Sequence, residues 1–97
     1  MNVIDLFNLG NKYHAEGKLD MALQIWTECI QNDRLFSVPL INIHNILRQQ
    51  GNLVKAREAL LEFKRRPLTG ETLDMLPRVN HEIEEINKQL QPPAPQK

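Results

Sequence analysis

Apolar residues recur along this chain at intervals of three and four, broken at regular places by glycine. Leu6, Leu9 and Tyr13 fall on one helical face, Gly17 interrupts them, and Leu19, Ala22, Leu23, Trp26 and Ile30 resume the pattern. This predicts two helices joined by a turn in which glycine adopts the left-handed backbone of a helix C-terminus. The alternation then repeats: Leu40, Ile43 and Leu47 form a stripe, Gly51 breaks it, and Leu53, Ala56, Leu60 and Phe63 form the next. Beyond Lys64, Arg65, Arg66 and Pro67, the residues Leu73, Leu76, Val79, Ile83, Ile86 and Leu90 predict a fifth, longer amphipathic helix over roughly 71 to 90. Pro77 either kinks that helix or restarts it. Asn2 and Ser37 stand where side chains cap helix N-termini, and Pro39 is tolerated in a first turn, where its missing N–H would be unpaired anyway.

The two halves of the pattern are copies. Setting residues 3–36 above 37–70, an offset of 34, pairs Leu6 with Leu40, Asn8 with Asn42, Asn11 with Asn45, Gly17 with Gly51, Leu19 with Leu53, Ala22 with Ala56 and Glu28 with Glu62. These identities need no gap, and a fixed period of this length is the mark of a stacked helical repeat. The period fails after residue 70, where Arg78 replaces a small residue and Leu90 replaces the paired alanine. Each helix pair has an apolar face it cannot bury alone, so stacking is required. The chain therefore reads as all-α, with one helical domain over 1–91 and a Pro-rich tail or linker, PPAPQK, closing it over 92–97.

Composition narrows the possible partners. Lys and Arg total 12 and so do Asp and Glu, leaving a formal net charge of zero and no global attraction to nucleic acid. Apolar runs are only a few residues long, far short of a membrane span. The start MNVID lacks a secretory pattern and Cys29 is the single cysteine, so a reducing cytoplasm is the expected compartment.

With these residues the chain resembles the tetratricopeptide repeat (TPR), whose pattern is W-x2-L-G-x2-Y, then A-x3-F, then P. Leu9, Gly10, Tyr13 and Ala22 match outright, while Leu6 and Trp26 take the Trp and Phe places. Leu40, Ile43, Leu47, Ala56 and Leu60 carry the second copy, in which His44 replaces the glycine; Arg34 and Leu68 stand where the proline is expected. The resemblance implies a short right-handed α-solenoid of two helix-turn-helix repeats plus a C-terminal capping helix. It also implies that the first helix of each pair lines a concave groove.

Chemistry is sparse. His14, His44 and His81 lie on three different helices, with no partner at metal-ligand spacing. His44 reads as a satisfied structural histidine and His14 and His81 as exposed. Cys29 reads as a core thiol, and no Ser, His, Asp set or phosphate loop is visible. Lys64, Arg65 and Arg66 close a helix, where the macrodipole favours positive charge. Arg78, Glu82, Glu85 and Lys88 read as the watered face of the last helix. Neither a catalytic site nor a cofactor is expected.

Asparagine is the informative residue. Asn8 and Asn11 recur as Asn42 and Asn45, on helices where asparagine is only a middling former. A side-chain amide both donates and accepts, so it can pair with a peptide backbone whatever that peptide's side chains are. The strings NLGN and GKLDMAL are similar to repeats of O-linked N-acetylglucosamine transferases, and that resemblance implies an asparagine ladder at Asn8 and Asn42 with Asn11 and Asn45 beside it. A carboxylate clamp is disfavoured, because Phe7, Thr72 and Leu76 stand where its basic residues belong. Ile4, Phe7, Val38 and Ile41 instead place an apolar strip on the same side, near Arg48.

The expected function is a non-enzymatic module that binds an extended peptide or partner segment through Asn8, Asn11, Asn42, Asn45, Phe7, Ile41 and Arg48. One alternative is a scaffold that homodimerises through Ile4, Phe7, Val38 and Ile41. Another is the N-terminal recognition domain of a larger enzyme such as a glycosyltransferase.

Overall fold

The computed structural model describes residues 1–91, which are helical without a strand; the expected tail at 92–97 lies outside the described residues. Six helices follow one another: α1 (Val3–Ala15), α2 (Leu19–Asn32), α3 (Val38–Gln49), α4 (Leu53–Arg65), α5 (Gly70–Asp74) and α6 (Leu76–Leu90). α1 pairs with α2 and α3 with α4, α2 packs on α3, and α6 packs on α4.

The two hairpin turns are the same turn. At the first, the Gly17 N–H donates to the His14 carbonyl at 3.0 Å and the Lys18 N–H to the Tyr13 carbonyl at 2.9 Å. At the second, Gly51 donates to Arg48 at 3.0 Å and Asn52 to Leu47 at 2.9 Å, the same two bonds 34 residues on. This paired motif closes a helix by satisfying its last carbonyls, and it requires a left-handed residue that glycine supplies without strain. Gly17 and Gly51 have φ of 77° and 78°.

Helix starts divide as the local chemistry dictates. Asn2 caps α1 by accepting from the Asp5 N–H at 2.9 Å, and Asn52 caps α4 by accepting from Lys55 at 3.4 Å. Ser37 does not cap α3. Its backbone is helical (φ −93°, ψ −18°), Pro39 offers no N–H, and the Leu40 N–H goes to the Ser37 carbonyl, so the buried hydroxyl is left without a partner.

The expected single helix over 71 to 90 is two helices, making six rather than five. α5 starts at Thr69, whose N–H donates to Thr72 Oγ1 at 3.0 Å. It ends at Met75, after which Pro77 sits in the first turn of α6. Proline restarts the chain here because its ring leaves no N–H for the preceding turn. Leu73 thereby leaves the apolar stripe and is half exposed, while Val79, Ile83 and Ile86 are buried against α4.

The core is centred on Trp26 and Phe63, each almost fully buried, with Ala22 and Ala56 at zero exposure where the helices approach. Leu9, Tyr13 and Leu47, expected in the core, are only half-buried, and Leu40, Ile46 and Ala59 take a larger part. Gly10 is required by packing: a Cβ there would lie 2.3 Å from Trp26 Nε1. The indole N–H donates to the Phe7 carbonyl at 3.4 Å. Cys29 is a fully buried thiol against the Val3 carbonyl, and burial, helped by the Glu28 charge, pushes its pKa up. A thiol held protonated is a poor nucleophile.

One basic residue of the run at 64–66 turns inward. Lys64 and Arg65 are exposed, but Arg66 is 9% exposed; its Nη1 donates to the Ile30 carbonyl at 2.7 Å and the Asp33 carbonyl at 3.4 Å. Its Nε meets Glu62 at 3.3 Å. Arg66 thus caps the end of α2 from the end of α4, joining the hairpins by a charge-assisted contact.

Candidate functional site

The asparagines expected to form a ladder stand on α1 and α3, with Asn8, Asn11 and Asn45 exposed and Asn42 half-buried. Other asparagines have structural work: Asn2 and Asn52 cap helices, and Asn87 Oδ1 accepts from Arg57 at 2.7 Å, tying α6 to α4. The amides of Asn8, Asn11, Asn42 and Asn45 make no hydrogen bond to another described residue, so their donors and acceptors are available to a ligand.

The apolar strip is divided. Ile4 is 55% exposed and Val38 half-buried, but Phe7 packs edge-on against Phe36 with ring centroids 5.3 Å apart. Ile41 lines a cleft instead, together with Asn45, and Phe7 is not among the residues of that lining.

That cleft, of about 230 Å³, opens between α3, α4 and the junction of α5 with α6. α3 contributes Ile41, His44 and Asn45, and α4 contributes Leu60. Across from them stand Met75, Arg78, Val79 and Glu82. His44, Leu60 and Val79 are buried and form its floor, whereas Asn45 and Arg78 are exposed at its rim. The floor has a counterpart in the first hairpin, since His44 and Leu60 lie 34 residues after Gly10 and Trp26. There a missing side chain receives a large ring; here the large ring is on the first helix and the smaller side chain on the second.

His44 is not satisfied. It is 2% exposed and neither ring nitrogen has a hydrogen-bond partner. Burial lowers its pKa below the ordinary imidazole value; the Arg48 and Arg78 charges act in the same direction and Glu82 opposes them. The Ile41 carbonyl, one turn back, favours the charged ring without closing a hydrogen bond to either nitrogen. His14 and His81 are exposed as expected. Because the unfolded chain takes up a proton that folded His44 declines, stability should fall as pH drops from about 6.5 toward the lower native pKa. Urea midpoints measured between pH 7.5 and 5.5 should show this fall, and His44→Leu should flatten it; an equal slope in that variant would place the proton elsewhere.

Arg48, expected to face a peptide, is engaged. It pairs with Glu82 across the cleft, and Arg78 Nε approaches the other Glu82 oxygen at 3.9 Å. Glu82 is therefore not on a watered face: its side chain is 23% exposed and that of Arg48 27%. One carboxylate between two guanidiniums leaves this rim with one excess positive charge, carried by the 85% exposed Arg78.

Among the described residues no three His, Cys, Asp or Glu side chains converge as metal ligands, and no helix is long and apolar enough to cross a membrane. No family model matches the chain, and no curated protein or solved structure matches it either.

The cleft and its unpartnered histidine were not foreseen from the sequence, which read His44, standing in place of a glycine, as a satisfied structural histidine. That substitution was itself the available signal, since a polar ring at a packing position must either find a partner or lack one.

Proposed function

We propose that the chain is a short right-handed solenoid of two tetratricopeptide-type repeats closed by α5 and α6, and that it works without catalysis as a cytoplasmic protein-binding module. Its ligand is an extended segment of another protein, held along the face made by α1 and α3. The observation that carries this reading is the recurrence, at a period of 34, of asparagine amides with no hydrogen-bond partner among the described residues, on helices that end in the same turn. Exposed amides cost little in the free protein and gain two-sided pairing with a peptide backbone.

Asn8 on α1 and Asn42 on α3, one repeat apart, would grip separate backbone groups of one extended segment. With each net hydrogen bond worth ~1 kcal/mol, binding is expected to be micromolar at best. The test is the Asn8→Ala, Asn42→Ala double variant against peptides selected on the wild type. Affinity should drop by about 10-fold or more while the thermal midpoint stays nearly constant. Undiminished affinity would reject the ladder.

A further inference from the structure

We propose that the cleft between α3, α4 and the α5–α6 junction takes a phenolic side chain: a tyrosine of the bound segment, next to an acidic residue. This rests on the groove reading above and names the side chain that the groove selects.

Buried polar groups are ordinarily paired, so a buried imidazole with two unpartnered nitrogens is a standing deficit that a ligand can relieve. The ring is held neutral by burial, so it offers one donor and one acceptor. The rest of the lining is largely apolar: Ile41, Leu60, Met75 and Val79. The volume of about 230 Å³ falls below the ~300 to 1,000 Å³ of small-molecule sites and suits one large side chain.

Few side chains combine an apolar body with a polar tip. Leucine or phenylalanine would fill the walls and leave His44 unpaired, while serine and threonine lack the body. Indole can only donate, whereas a phenol hydroxyl donates or accepts and so suits either His44 tautomer. Both nitrogens are buried in the free protein, so the hydroxyl reaches them only once the lining yields, and the unbranched Met75, whose thioether suits an aromatic edge, is the flexible part of that lining. At the rim Arg78 is the excess charge, since Glu82 is already shared with Arg48. It selects a carboxylate beside the tyrosine.

The experiment is an NMR titration of the full chain with p-cresol, toluene and 4-hydroxyphenylacetate. p-Cresol should shift the His44 ring nitrogens and the methyl signals of Met75 and Val79. Toluene, which has the body without the hydroxyl, should bind about 2- to 10-fold more weakly. 4-Hydroxyphenylacetate should bind more tightly than p-cresol, with the gain lost in Arg78→Gln. In His44→Phe, p-cresol and toluene should bind alike.

Absence of those shifts, or toluene binding as well as p-cresol to the wild type, would overturn the proposal, and this comparison stands even if His44→Phe does not fold. A carboxylate that adds nothing overturns the acidic neighbour. Selected peptides that occupy the groove without a tyrosine overturn the assignment of the partner. The Asn8→Ala, Asn42→Ala variant should keep its p-cresol affinity, so loss of the ladder and loss of the phenol site are separate results.

Discussion

Replacing Trp26 with alanine should destabilise the protein by about 3 to 5 kcal/mol, because the ring is 1% exposed and sits between the helices of the first hairpin. The sharper form of this expectation involves Gly10. Alanine is the better helix former by ~1 kcal/mol, yet a Cβ at residue 10 would lie 2.3 Å from Nε1 and 2.5 Å from Cδ1 of the indole. The rigid, enclosed ring has to move, so Gly10→Ala should cost about 1 to 3 kcal/mol in the wild type. In a Trp26→Leu background, where that ring is absent, the same change should become neutral or favourable. Urea denaturation of the four proteins closes the cycle. Additive effects would mean that the glycine serves something other than the indole.

Arg66 is the second site of large effect. Arg66→Met should lose about 2 to 3 kcal/mol, since it strips the charged donor from two carbonyls at the end of α2 and leaves Glu62 without its inner partner. Arg66→Lys should recover part of the loss, because an ammonium keeps the charge but lacks the guanidinium's fork. Arg65→Met, one residue earlier and exposed, should change stability by less than about 0.5 kcal/mol. Thermal or chemical midpoints of the three variants give the ranking, and equal effects at 65 and 66 would reduce Arg66 to an ordinary helix-end charge.

What the sequence made legible was whatever a short stretch of chain decides for itself. The turns at Gly17 and Gly51, the Asn2 cap and the helical stripes depend on neighbours within five residues, so spacing alone located them. Two features depend on where other helices lie. Lys64, Arg65 and Arg66 serve the macrodipole of α4 equally well, and only the position of the end of α2 chooses the one that turns inward. Glu82 sits at helical spacing among other charges of α6 and reads as solvated until Arg48 of α3 is placed opposite it. Ser37 has the right residue type and position for a cap, but Pro39 removes one available N–H and the helical backbone of Ser37 claims the next for its carbonyl. Of the candidate site, the asparagines were visible through their repetition; the cleft was not, because it joins residues of α3 to residues of the α5–α6 junction thirty or more positions later.

α1 packs principally on α2, whereas α3 is covered by both α2 and α4. With one principal packing partner, α1 should open locally more readily than α3 or α4, and its amides should exchange with solvent faster than theirs. Half of the proposed asparagine ladder stands on that helix. A peptide that reaches Asn8 and Asn11 must spend part of its affinity on holding α1 in place, while Asn42 and Asn45 ride on a helix already fixed from both sides. The proposed groove would thus have a stiff end that sets register and a yielding end that accommodates, and ordering of α1 on binding would couple ligand occupancy to the stability of the first hairpin.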